Sequence, residues 1–235
     1  MKEQLQKDFD NSIKNLSLSQ KDIEIKKFCL DNFIDKGFPN RKEEDWKFSD
    51  LNQIIKNNIG ELSFYNDQAS TNKVDTSVFV DGLEHNKIVF INGRIEKIDF
   101  EYEKKDQIEI IDQSETINEF KNSNSLSDLN NAFTNKCFKI LVKKGYQLVK
   151  PLIIYHTTNS KIWSKNINLR LNFELDKDSS LRLIDLFNDT SEKNFLNIFY
   201  NFELKENAVL KNYKVDKFEN KNIKFSFNNI DQDKN

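Results

Sequence analysis

Apolar positions recur at two different spacings, and the change of spacing divides the chain. Through residues 1–60 they return every three or four positions. Leu5, Phe9, Ile13 and Leu16, with charged residues between them, predict an amphipathic helix. Ser19, with Asp22 three residues on, predicts the N-cap of a second helix. Its apolar face is Ile25, Cys29, Leu30, Phe33 and Ile34, and Gly37 then Pro39 supply the stop. A third short helix is expected from near Ser49, through Leu51, Ile54, Ile55 and Ile59, to Gly60. These three helices predict an N-terminal helical domain over 1–60.

Residues 61–73 are polar and read as a linker, after which the period shortens to two. Val78 to Val80 and Ile88 to Ile91 predict strands, and Asn92-Gly93 before Ile95 and Ile98 predicts a hairpin. Ile108 to Ile111 adds a strand, and Ser114 to Phe133 returns to helical spacing through Ile117, Phe120, Leu126, Leu129 and Phe133. The stretch 61–135 is therefore a mixed strand and helix lead-in.

From 136 to 235 one short pattern repeats: an apolar run, a polar corner, another apolar run. Val142 to Leu148, Leu175 to Leu181 and Leu204 to Leu210 each carry Gly, Asp or Asn at the fourth position and Leu at the seventh. Phe173-Glu-Leu and Phe202-Glu-Leu lie 29 residues apart (202 − 173), and Val142 lies 33 before Leu175 (175 − 142). Units of this length bury an apolar face by stacking, which predicts a parallel β-solenoid, with a β-meander as the alternative. The last run, Phe225 to Ile230, is followed by no capping helix and predicts exposed apolar surface and self-association.

Composition narrows the classes. In a chain of 235 residues the formal charge is −2, with acidic and basic residues interspersed, so no electrostatic footprint for nucleic acid appears. Neither a transmembrane run nor a secretory leader is visible, and the expected compartment is the cytoplasm. Without secretion, the glycosylation tripeptides at Asn15 and Asn188 carry no meaning. Cys29 and Cys137 are far apart with no CxxC spacing, which points away from a disulfide framework or a self-contained zinc site.

Few residues suggest chemistry. His85, in a polar turn, and His156, after Leu152-Ile-Ile-Tyr155, lack a neighbouring Cys, Asp or Glu at ligand spacing and read as surface or satisfied histidines. Cys137 opens a strand on the face of Lys139 and Leu141, and reads as a small strand residue of mixed exposure rather than a reactive thiol. Trp46 and Phe48 stand in the polar stretch Phe38 to Leu51, where aromatics tie a loop to a core; an exposed partner hot spot is the alternative. Asp185 and Asp189 are the nearest approach to the carboxylate cluster of a carbohydrate-active β-helix enzyme, but Lys214 and Phe218 stand one repeat later. Hydrolase, zincin, Walker and dinucleotide patterns are missing.

Four stretches, in order, carry a family resemblance. Pro39 to Leu51, with Glu43 and Glu44 before Trp46-Lys-Phe-Ser, resembles the signature near the start of SufD, in the SufB/SufD family of iron–sulfur cluster assembly proteins. Ile88-Val-Phe-Ile-Asn-Gly-Arg94, Leu129-Asn-Asn-Ala-Phe133 and Lys150-Pro-Leu-Ile-Ile154 are similar to three further segments of that family.

The resemblance implies a mainly β fold with α: an N-terminal helical domain followed by a right-handed parallel β-helix. It also implies a non-enzymatic scaffold of the cytoplasmic SUF system, a hetero-oligomer with a SufB-like paralogue and a SufC-like ATPase. The iron–sulfur cluster belongs to the assembled SufBCD-type complex, and no cofactor is expected on this chain alone. The family's His-Gly-Ala segment and C-terminal helical domain do not occur here, so the β-helix is expected to be incomplete at Asn235. No catalytic, cofactor or metal residue is carried over, and Cys29, Cys137, His85 and His156 receive no role.

Overall fold

The computed structural model describes residues 2–14, 16, 18–64, 76–113, 124–134, 137–158, 162–189, 193–217 and 222–233, the backbone alone at 188, 189 and 217. Among the described residues four α-helices and ten strands form: α1 (Lys2–Lys14), α2 (Gln20–Lys36), α3 (Leu51–Asn58), β1 (Asn86–Ile91), β2 (Arg94–Asp99), β3 (Ile108–Asp112), α4 (Ser125–Phe133), β4 (Cys137–Val142), β5 (Leu152–Thr158), β6 (Asn166–Leu175), β7 (Ser180–Asp189), β8 (Phe195–Leu204), β9 (Val209–Lys217) and β10 (Ile223–Gln232).

The helices start and stop for local reasons. Ser19 accepts from the Asp22 N–H at 3.2 Å, and Gly37, at φ 71°, ends α2 with its N–H on the Phe33 carbonyl. Asp50 caps α3 through the Gln53 N–H at 2.9 Å. Asn124 caps α4 through Ser127 at 2.8 Å. Of the helical stretch expected from Ser114, residues 124–133 are described and the remainder lies outside the described residues. Val78 to Val80 is not a strand: Thr76–Val78 forms a single 3-10 turn. The expected linker is partly docked, since Ser63 N–H donates to the Ser164 carbonyl at 2.8 Å and Phe64 is buried.

The strands form two five-stranded sheets, ordered β2-β1-β5-β7-β9 and β10-β8-β6-β4-β3, and from β4 onward successive strands alternate between them. The expectation of a helical domain followed by a right-handed parallel β-helix is corrected: the chain is an α/β fold of two mixed, mostly parallel sheets. β2 turns back antiparallel on β1, and β3 pairs antiparallel with β4, so each sheet has an antiparallel edge. The repeat displacements survive as parallel registers. Phe173 lies beside Phe202 on β6 and β8, and Val142 beside Leu175 on β4 and β6.

The polar corners explain that register. Gly145, Asp178 and Asn207, the fourth residue of each repeat, have φ of 71°, 61° and 58°. This left-handed conformation suits Gly, Asn and Asp, and it makes each the third residue of a β-turn. The corners then bond to each other: Gly145 N–H donates to Lys177 O at 2.8 Å, and Asp178 N–H to Glu206 O at 3.0 Å.

Strand alternation sets the layers. Between the sheets lies the main core, with Ile88, Phe90, Ile154, Leu171, Phe173, Leu183, Phe187, Ile198 and Phe202. On the far face of the second sheet, α1 to α4 share a core with Phe195 and Phe199 of β8. Phe225 and Phe227 of β10 are only partly exposed there, 6.0 Å and 5.3 Å from the Phe199 ring, and Trp46 packs 6.0 Å from Phe225. On β9 and β10 the central positions facing the interior are polar, Asn212, Lys214 and Asp216 opposing Lys224, Ser226 and Asn228, while Leu210 still packs on the main core. Lys214 donates to Ser226 Oγ at 2.5 Å, and Lys224 pairs with Asp216. The uncapped apolar rung expected around Phe225 is thus a polar cross-link on its inward side.

Candidate functional site

Three buried polar side chains meet between the sheets. His156 on β5 and Asp185 on β7 come from the first sheet, and Tyr200 on β8 from the second. All three are nearly inaccessible, Asp185 and Tyr200 fully so. Tyr200 donates to Asp185 Oδ1 at 2.7 Å. With that hydrogen spent, the Tyr200 oxygen accepts, so His156 Nε2, 2.7 Å away, carries the proton. The same N–H lies 3.1 Å from Asp185 Oδ1.

The imidazole is held flat. Phe90 and Phe187, which flank His156 in register on β1 and β7, stack on it at 5.3 Å and 4.2 Å with interplanar angles of 8° and 6°. Asp185 is opposite Lys214 on β9, and the Lys214 ammonium stands 5.7 Å from the Tyr200 ring centre. Burial, then the Asp185 carboxylate, drives the Tyr200 phenol well above its ordinary value of 10.0, so it stays a donor. The cluster is a proton-ordered clamp joining the two sheets, sealed from solvent. His156 Nδ1 and Asp185 Oδ2 make no hydrogen bond among the described residues.

His85 is also satisfied. Its Nδ1 donates to the Leu83 carbonyl at 2.6 Å, leaving Nε2 to accept from Tyr155 OH at 2.7 Å. That hydroxyl in turn accepts from the Val80 N–H at 3.0 Å.

A second buried polar group lies between α2, α4 and the second sheet. Lys26, 2 % exposed, donates to the carbonyls of Asn131 at 3.1 Å and Thr134 at 2.7 Å, at the C-terminal end of α4. Burial, with the nearby Arg170 charge, pulls its ammonium down to about 8. Arg170 Nε donates to Asn130 Oδ1 at 3.1 Å, and its guanidinium lies 5.7 Å from the Phe199 ring centre. Cys29 and Cys137 sit close enough to feel both cations, yet burial pushes each thiol up to about 11. They are buried, free and protonated near neutral pH.

The sequence candidates therefore separate. Asp185 points into the interior, and the side chain of Asp189 lies outside the described residues. Trp46 is an anchor; Phe48 is not, at 86 % exposed. Among the described residues no group of three or more His, Cys, Asp or Glu could hold a metal ion, and no helix is long and apolar enough to cross a membrane. The partnership of His156 with Asp185 escapes a search for local ligand spacing, although their separation equals the repeat displacement of 29 (185 − 156). Lys26 is absent from the apolar face expected for α2, although it falls on the same helical stripe as Asp22, Cys29, Leu30 and Phe33.

The chain matches no family model and no curated protein sequence.

Proposed function

We propose that this chain is a SufD-like scaffold subunit of iron–sulfur cluster assembly, acting by binding a SufB-like paralogue and a SufC-like ATPase, with the cluster as cargo of the complex. The observation carrying this reading is the part played by Leu129-Asn-Asn-Ala-Phe133, the most buried of the four resembling stretches. All nine residues of α4 are buried. Asn130 donates to the carbonyls of Leu169 at 3.0 Å and Asn197 at 2.8 Å, joining the helical layer to β6 and β8. The other three stretches are also tied into the framework. Trp46 rests on Phe225, Asn92-Gly93 makes the hairpin turn, and Pro151 accepts the Asn86 N–H at 2.9 Å. A family signature made of framework residues is what a scaffold requires, since its chemistry resides in its partners.

The test is affinity capture of the full chain from its native cells, with metal analysis of the eluate. An ATPase and a chain related to this one, with iron, are expected. Recovery of stable partners that include no ATPase and no iron would replace this reading with that of an interaction module outside iron–sulfur assembly. Recovery of no partner would overturn both.

A further inference from the structure

The outward face of the first sheet carries an apolar strip that only part of the chain covers. Tyr155, Leu186 and Val215 lie in register on β5, β7 and β9, and Ile153, Ile184 and Tyr213 form the adjacent row. At the β1 and β5 end the strip is roofed. The Phe79 ring is 4.9 Å from that of Tyr155, and Val89, Ile91, Ile153 and Tyr155 are buried. Toward β9 the roof stops, leaving Tyr213 56 % and Val215 49 % exposed.

Charge marks the same end. Arg182 and Lys211 stand directly opposite each other on β7 and β9, both exposed. Like charges so placed repel, and an anion shared between them removes that cost. Arg182 also donates to the Val149 carbonyl at 2.9 Å, which fixes its position beside the strip.

We propose that Tyr213 and Val215, rimmed by Arg182 and Lys211, bind an extended segment of a partner protein in which apolar residues are followed by carboxylates. The chain's own roof has this chemistry: Phe79 and Val80, packed on Val89, Ile91, Ile153 and Tyr155, run into Asp81. A partner would extend the roof by the same apolar contacts, with its carboxylates over the cation pair. The inference stands on this face alone and does not rest on the SufD-like reading.

The experiment uses the full chain and a fluorescent peptide copying Thr76 to Asp81 with two glutamates added, followed by fluorescence polarisation. Saturable binding is expected, weakened at least about tenfold by Tyr213→Ser with Val215→Ser, because apolar anchors dominate such contacts. Arg182→Glu with Lys211→Glu should also abolish it, while a peptide with lysines in place of its acids gains affinity for that variant. All four residues are exposed, so the variants are expected to keep the parent's circular dichroism and urea midpoint. Lack of saturable binding, or equal binding by parent and variants, overturns the proposal. So does self-association of the parent that Tyr213→Ser removes, which would make a second copy the occupant.

Discussion

Tyr200 gives its only hydroxyl hydrogen to Asp185 across the space between two sheets, at 2.7 Å. A carboxylate with no access to solvent depends on such donors, because an unpaired buried charge is costly. Tyr200→Phe should lower the free energy of unfolding by about 2–3 kcal/mol, measured by urea titration, as expected for a lost hydrogen bond to a charged group. His156→Phe should cost less, because a phenyl ring continues the stack between Phe90 and Phe187 while Tyr200 still serves Asp185. A larger loss for His156→Phe would mean that the imidazole N–H is the stronger of the two donors.

Lys26 should give the stability curve an alkaline signature. With its folded pKa pulled from 10.5 to about 8, the unfolded chain holds a proton across that window that the folded chain has released. Stability contributed at this site therefore rises with pH between those values, by at most roughly 3–4 kcal/mol at about 1.4 kcal/mol per pKa unit. Below it the full cost of burying the ammonium persists. The thiols act oppositely, since their folded values of about 11 exceed the ordinary 9.0 and stability is lost as pH rises between them. The comparison is thus the parent against Lys26→Met at matched pH, and parallel curves would refute it.

Both thiols should be silent in the native state. Cys29 is 6 % and Cys137 7 % exposed, and each thiol is held far above neutral pH. Ellman's reagent at pH 8 should react only after urea is added, and then with two equivalents per chain. Rapid native reaction at either residue would show that the layer between α2 and the second sheet opens.

Gly93 tolerates no side chain. A Cβ there would lie 2.5 Å from Ile167 Cγ2, and the residue already has φ 83°. Gly93→Ala should destabilise by about 2 kcal/mol or more, combining conformational strain with overpacking. Calorimetry showing an unchanged melting temperature would contradict it.

Local chemistry was the most legible part of this fold. Ser19 and Asp22, the Gly37 stop, Asn92-Gly93 and the fourth-position Gly, Asp and Asn each act through a backbone requirement readable within a few residues. The strand spacing between Phe173 and Phe202 was legible because register preserves it. What was not legible was the pairing sense at the edges. Nothing local in Ile108 to Ile111 says that it will run antiparallel to β4. The candidate site was harder still, because His156, Asp185 and Tyr200 lie in three separate strands and are brought together only by two sheets closing. Lys26 and Arg170 show the same limit: each looks like a surface cation until α2 and α4 cover the second sheet.

The left-handed corners at Asp178 and Asn207 each turn the chain within four residues, 176–179 and 205–208, between strands whose side chains alternate faces. Deleting one residue from 176–179 would move Asp185 and Phe187 to the outside and bring Ile184 and Leu186 inward. The imidazole would lose its ring neighbour, Tyr200 its acceptor, and the partner face its apolar strip. Segment length, more than the identity of any one side chain, is the quantity this architecture must conserve.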